Sequence, residues 1–281
     1  MSTDATRYRY GFKNVIIPAD ILAAKPDIYP FNPLLESVHK NTARPLPAPI
    51  YEGKESTDGL LNYLKIDAIL IFNDPRDWSL DIQIIMDLLL SYRGYLGSYS
   101  TINGKEGLPN NGFQQDFQPF LYFSNGDLTW ATSHHQPRFG QGAFKAALQG
   151  VWYKMTTATD LYSKTFGKPQ REVFEYAEEA LNSRRLEAAV AMDDVKRFKR
   201  LQRVYMVGDS TRSDIAGANE FESEHGTDWK SILVFTGISV KKEYDPPLGG
   251  KGTAPYALAD DVREAVKWAL RNEGVAFKGK I

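Results

Sequence analysis

At 281 residues, with 42% hydrophobic and 25% charged side chains, the chain has the composition of an ordinary globular protein and the length for one large or two smaller domains. Its 34 basic and 35 acidic residues leave a formal charge of −1, so no whole-molecule field draws it to nucleic acid or an anionic membrane. The lack of cysteine excludes disulfides and thiolate metal sites and fits a reducing compartment, and no apolar run approaches the roughly 20 residues of a membrane-spanning helix.

The first ten residues, MSTDATRYRY, have neither the apolar stretch of a secretory signal nor the character of a transit peptide. Asn14-Val15-Ile16-Ile17 reads as a short strand closed by Pro18, so the chain is expected to begin inside a fold. Lys25 to Pro49, rich in proline, reads as a connection between lobes. Ile66 to Phe72 predicts a strand and Leu80 to Leu90 a helix, followed by a long loop over 92–115. Pro119 to Phe123 predicts the next strand, and Gln141 to Met155 the next helix. Arg171 to Leu181 places Val173, Phe174, Ala177 and Leu181 on one helical face, with Pro169 suited to its start. Residues 182–202 read as a charged insertion that packs through Leu186, Ala189 and Val190. Strands at Arg203–Val207 and Ser231–Thr236 alternate with helices at Ser213–Phe221 and Asp261–Leu270. This alternation predicts an α/β fold with a parallel sheet covered by helices.

Two motifs carry chemistry. In Val207-Gly208-Asp209-Ser210-Thr211-Arg212-Ser213-Asp214-Ile215 an apolar strand runs into Gly-Asp and then into a helix. A carboxylate beyond the carboxyl end of a strand is placed to hold Mg²⁺ beside a phosphate. Asp209 fits that role and Asp214 is near enough to support it; the plainer reading is a strand end and a helix cap. In Thr165-Phe166-Gly167-Lys168-Pro169 a lysine stands just before a helix, where its ammonium can neutralise a phosphate, or else it is an ordinary loop lysine. Asp77, Trp78 and Asp81 follow one strand, and Asn125 and Asp127 another; each set reads either as a substrate-facing loop or as a cap, a packed indole and an Asx turn. His134 and His135 read as surface loop residues. The basic run Lys196 to Arg200, neighboured by Asp193 and Asp194, reads as a solvated helix face and not as a nucleic-acid site.

Gly167-Lys168-Pro169, followed about 40 residues later by the Val-Gly-Asp-Ser-x-x-Ser-Asp-Ile-x-Gly-Ala run, resembles the third and fourth motifs of haloacid dehalogenase-like hydrolases. Phe72-Asn73-Asp74-Pro75-Arg76-Asp77-Trp78, Tyr122-Phe123-Ser124-Asn125-Gly126-Asp127 and Pro137-Arg138-Phe139-Gly140-Gln141-Gly142 extend the resemblance to class IIA, the branch typified by the cat eye syndrome critical region protein. The resemblance implies a Rossmann-like core with an inserted α/β C2-type cap: a core remnant at 1–32, the cap at 33–144, and the C-terminal half of the core at 145–281. It implies an aspartyl-phosphate mechanism assisted by Mg²⁺ on a small phosphorylated substrate. Lys168 matches the charge-balancing catalytic lysine, and Asp209 and Asp214 match the metal-binding acids. It also implies association with mitochondria and with glycerophospholipid metabolism. Neither membrane insertion nor a particular oligomer is implied.

One departure from the family pattern is large. The family's nucleophile stands in Asp-x-Asp-Gly, followed by a Ser or Thr that binds phosphate, and no Asp-x-Asp-Gly occurs in this sequence. The chain is therefore expected to be an N-terminally truncated, catalytically silent family member. The other reading is a non-catalytic binding or regulatory protein that keeps a phosphate-facing cleft.

Overall fold

The structure, a computed structural model, describes residues 11–31, 36–53, 57–194, 198–239, 241 and 248–275. Pro33, the expected start of the cap, and Lys196 and Arg197 of the basic run lie outside the described residues. The chain divides into two compact units, one made of residues 1–123 and 144–164, the other of 124–143 and 165–281.

The first unit begins with helix α1 (Pro18–Ala24), a short 3-10 turn at Pro26–Ile28 and helix α2 (Glu36–Thr42). Asn14 to Ile17, expected as a strand, belongs to no strand. The reason lies in Asp20: its carboxylate accepts the Ile17 N–H at 3.0 Å, while the Ile17 carbonyl accepts the Asp20 and Ile21 N–H groups of α1. Both backbone groups of Ile17 are thus committed to starting a helix, whose first position suits Pro18 because its missing N–H would be unpaired there anyway.

Strands β1 (Ala68–Ile71) and β2 (Phe120–Phe123) pair in parallel, Ala68 opposite Phe120 and Ile71 opposite Phe123; the two-residue strand β5 (Lys164–Thr165) lies next to β2 in the order β1-β2-β5. Helix α3 (Trp78–Leu90) covers them with the face of Leu80, Ile84, Ile85, Leu88 and Leu89, and helix α4 (Gln141–Met155) adds Phe144, Leu148 and Trp152. These side chains form one continuous buried cluster with Leu121 and Phe123, the largest apolar core of the chain's described residues.

The second unit holds a small antiparallel hairpin, β3 (Thr129–Trp130) with β4 (Arg138–Phe139), and a parallel three-stranded sheet in the order β6 (Arg203–Gly208), β7 (Asp228–Val234), β8 (Ala257–Ala259). Helix α5 (Arg171–Ala191) packs Phe174 against Val204, Trp229 and Ala218, and helix α7 (Val262–Asn272), capped by the Asp261 carboxylate on the Glu264 N–H, packs Ala265 against Ile232, Val234 and Ala257. The α/β class with parallel pairing is therefore present, with additional strands and helices beside the sheet.

Three local expectations are corrected. Helix α5 does not stop near Leu181 but runs to Ala191, and the supposed packing side of 182–202 is solvent-facing, with Leu186 and Val190 exposed. Its inner face is instead carried on by polar residues. Glu178 is buried and accepts from Trp229 Nε1 at 3.0 Å, Thr227 Oγ1 at 3.0 Å and Ser223 Oγ at 2.8 Å. Asn182 accepts the Leu201 N–H at 2.9 Å. Pro169 does not open α5, which begins at Arg171; the Lys168–Pro169 bond is cis. Finally, Ser213 to Phe221 is not one α-helix: a π-type turn over Thr211–Ile215 leads into the short helix α6 (Ala216–Glu220).

Candidate functional site

Parallel strands end together, so the loops after β6 and β7 open on the same edge of the sheet. Asp209 stands directly after β6. The loop after β7 meets it there: the Ile238 N–H donates to Asp209 Oδ2 at 2.7 Å and Ser239 Oγ donates to the Asp209 carbonyl at 2.7 Å. Gly237 allows this approach, since a Cβ at that position would lie 1.8 Å from Asp209 Oδ2. Asp209 is half-buried, and its Oδ1 receives no hydrogen bond from the described residues, leaving one carboxylate oxygen open to a ligand.

Asp214 is held from the other side. Its Oδ1 accepts from Lys168 Nζ at 2.6 Å and its Oδ2 from the Ser210 N–H at 3.0 Å, and its side chain is only 3% exposed. Gly208 is required here as well: an added Cβ would sit 2.2 Å from the Asp214 carboxyl carbon. The π-type turn supplies the geometry, with the Asp214 and Ile215 N–H groups both donating to the Ser210 carbonyl at 3.0 and 3.1 Å.

Lys168 arrives from the turn after β5. Burial alone would lower its pKa, but the hydrogen bond and charge of Asp214, with Asp127 and Asp209 adding to the field, hold the ammonium above the ordinary lysine value. It is a permanent cation at neutral pH. Lys168, Asp209, Asp214, Asp127 and Ser213 line a single cleft of about 490 Å³ within the second unit, with Trp130 of the β3–β4 hairpin at its side. A cation and three carboxylates around one opening suit an anion bridged by a metal ion better than either alone.

The remaining expected residues are placed as follows. Asn125 Oδ1 accepts the Asp127 N–H at 2.7 Å, an Asx turn that sets Asp127 at the cleft. Asp77 and Trp78 belong to the first unit. Asp77 is buried as the N-cap of α3, accepting from the Leu80 N–H at 3.4 Å and from Ser79 Oγ at 3.2 Å. The Trp78 indole donates to the Pro75 carbonyl at 2.8 Å and meets Phe144 edge-on at 5.6 Å. His134 and His135 are exposed, their rings 4.4 Å apart. Sequence reasoning missed the Thr236–Ser239 loop; the Thr-Gly pair that follows the apolar run of β7 was the available signal.

Among the described residues no group of three or more His, Cys, Asp or Glu side chains forms a metal cage. Mg²⁺ does not need one, since it keeps several waters and is commonly bound by one or two carboxylates beside a phosphate. The open oxygen of Asp209, with Asp214 behind it, fits such a partial set.

The chain is similar in sequence to known proteins. The HAD-hydrolase-like family matches residues 165–265, the segment that contains Lys168, Asp209 and Asp214. The mitochondrial hydrolase YKR070W of Saccharomyces cerevisiae is 32% identical over 273 residues, covering 93% of this chain and 68% of that protein. The cardiolipin synthase (CMP-forming) / mitochondrial hydrolase fusion protein of Schizosaccharomyces pombe is 31% identical over 278 residues, 99% of this chain and 39% of that protein. A solved structure of a possible sugar phosphatase of the HAD superfamily from Cytophaga hutchinsonii has a TM-score of 0.35 at 13% identity, covering 84% of this chain and 55% of that one. The sequence relatives carry the assignment: the chain belongs to the haloacid dehalogenase-like hydrolase family, whose members generally depend on Mg²⁺. It spans about two thirds of the first of these relatives and well under half of the second.

Proposed function

We propose that this chain supplies the phosphate- and Mg²⁺-holding side of a class IIA phosphohydrolase site for a small phosphorylated metabolite, in the branch of the cat eye syndrome critical region protein. The observation that carries the reading is the convergence of Lys168, Asp209 and Asp214 on one cleft at the carboxyl ends of parallel strands. Asp209, through its open oxygen, and Asp214 hold the metal. Lys168 neutralises phosphate charge, and its pairing with Asp214 keeps it aimed at the cleft. When bound, Mg²⁺ supplies neutralisation and polarisation of the phosphoryl oxygens. Asp127 contacts the substrate from the Asx turn of Asn125, and Asp77 and Trp78 fix the form of a substrate-facing loop. In this reading residues 1–32 and 145–281 belong to the core and 33–144 to a C2-type cap. The names of the two yeast relatives support a mitochondrial setting and a link to glycerophospholipid metabolism.

The 281 residues contain no Asp-x-Asp-Gly, so the reading includes binding without turnover by this chain. The same observation favours a second reading, a non-catalytic binding or regulatory protein, over an enzyme with an unrelated nucleophile. The test is hydrolysis of para-nitrophenyl phosphate with Mg²⁺, together with titration of inorganic phosphate, for the chain and for its Asp209→Ala and Lys168→Ala variants. Expected are no turnover and Mg²⁺-dependent phosphate binding that both substitutions weaken. Turnover abolished by both would show that another residue of this chain attacks phosphorus. A folded chain that binds neither ion would remove the reading altogether.

A further inference from the structure

Ser213 lies between the two motif acids, is 4% exposed and lines the same cleft, yet its Oγ has no hydrogen-bond partner among the described residues. A serine in a helical turn ordinarily turns its hydroxyl back onto the carbonyl three or four residues earlier. Here those acceptors are already engaged. The Asp209 carbonyl takes Ser239 Oγ, and the Ser210 carbonyl takes both the Asp214 and the Ile215 N–H. The Ser213 N–H is itself satisfied, donating to Ser210 Oγ at 3.3 Å, so the residue is fixed by its backbone while its hydroxyl is left over. A buried hydroxyl without a partner destabilises a fold, and its persistence points to a partner outside the chain. Its neighbours Lys168, Asp209 and Asp214 define what that partner is: an oxyanion whose charge the ammonium balances, presenting oxygen acceptors to a neutral donor.

We propose that Ser213 Oγ donates a hydrogen bond to a phosphoryl oxygen in the cleft, making Ser213 a substrate-contacting residue beside Lys168. This rests on the reading of the cleft as a phosphate and Mg²⁺ site. In the phosphate-bound state a charged acceptor completes the hydrogen bonding of this hydroxyl.

The experiment measures inorganic phosphate binding in the presence of Mg²⁺, by calorimetry and by the phosphate-induced rise in melting temperature, for the 281-residue chain and for Ser213→Ala, Ser213→Thr and Lys168→Ala. Ser213→Ala is expected to weaken phosphate about ten- to a hundred-fold, the range for one hydrogen bond to a charged group. Ser213→Thr, which keeps the hydroxyl, restores most of it. Without phosphate, Ser213→Ala melts no lower than the parent, because no internal bond is lost. Full phosphate affinity in Ser213→Ala, with affinity lost in Lys168→Ala, overturns the role of Ser213 alone. A lower melting temperature of Ser213→Ala without phosphate overturns it too, by showing an internal partner. A parent chain that does not bind phosphate overturns the reading of the cleft and this contact together.

Discussion

Asp81 in the first unit and Glu178 in the second are both acids drawn out of water, yet they shift in opposite directions. Asp81 sits in the first turn of α3 with no hydrogen bond to its carboxylate among the described residues, and burial, with the charge of Asp77 behind it, pushes its pKa up to about 7. Glu178 is 3% exposed, and burial likewise presses it upward, but the Trp229, Ser223 and Thr227 donors outweigh that and hold it below the usual glutamate value. The difference teaches that burial alone does not decide a carboxylate's state; the donors aimed at it do. The first unit is held by one apolar cluster of aliphatic and aromatic side chains. In the second, a polar network runs through the core itself.

The sharpest way to break this comparison is Glu178→Ala. It strands the buried Trp229 indole N–H and the half-buried Ser223 hydroxyl, while Thr227 keeps the Leu201 carbonyl at 3.0 Å, and is expected to lower stability by roughly 3 kcal/mol, read by denaturant unfolding of the second unit. A cost below about 1 kcal/mol would mean that the network is not structural. Next in size is Asp81→Asn, expected to stabilise the first unit by about 2 kcal/mol at pH 8, after discounting the full linkage value for residual solvent. The sign follows from the raised pKa: the folded state binds the extra proton between roughly pH 4 and 7, so the parent loses stability as pH rises through that window. The gain from the substitution should vanish near pH 4. Glu178 behaves oppositely, its contribution present above the ordinary glutamate pKa and lost as pH falls through its lowered one. Amide exchange followed from pH 8 to pH 5 should therefore show increased protection in the first unit and no change in the second.

Smaller effects sharpen the contrast. Gly237→Ala and Gly208→Ala press on Asp209 and Asp214 respectively, and each is expected to weaken Mg²⁺ binding about ten-fold, about 1.4 kcal/mol, by calorimetric titration. Smallest is the difference between two tryptophans. Trp152 is fully buried with an unpartnered indole N–H, whereas Trp229 donates to Glu178. Trp152→Phe should cost about 1 kcal/mol less than Trp229→Phe, the value of one net hydrogen bond; equal costs would show that the second bond contributes nothing.

Much of the architecture was legible because periodicity reports burial. The runs around Ala68–Ile71, Phe120–Phe123 and Arg203–Gly208 are apolar enough to mark strands, although only Ile69, Leu121, Phe123 and Val204 among them are buried, and α3 and α4 show their inner faces plainly. Helix α5 was legible only as far as its apolar face lasted. Beyond Phe174 its buried positions are Glu178 and Asn182, which a hydrophobic pattern cannot mark, while the apolar Leu186 and Val190 face solvent. Asn14–Ile17 misled because a β-branched run says nothing about Asp20, whose carboxylate converts it into a helix entry. Of the site, Lys168, Asp209 and Asp214 were legible from the two motifs. The Thr236–Ser239 clamp was not, because its parts are the Ile238 N–H, a serine hydroxyl and a glycine that makes room, none of which forms a hydrophobic pattern. Ser213 was invisible for another reason: its importance lies in a bond that it does not make.

The wide turn over Thr211–Ile215 separates two kinds of inheritance in this site. Lys168 and Asp209 are specified by identity, and a substitution can erase or restore them. The direction in which Asp214 faces is specified by count, because a π-type turn holds one residue more than an α-helical turn of the same span. Removing a single residue between Ser210 and Asp214 would tighten the turn and swing that carboxylate by about 100° around the helix axis, away from Lys168, without changing the chemistry of any side chain present. At Thr211 and Arg212, whose side chains hold neither Asp214 nor the cleft, drift in sequence is survivable where drift in length is not.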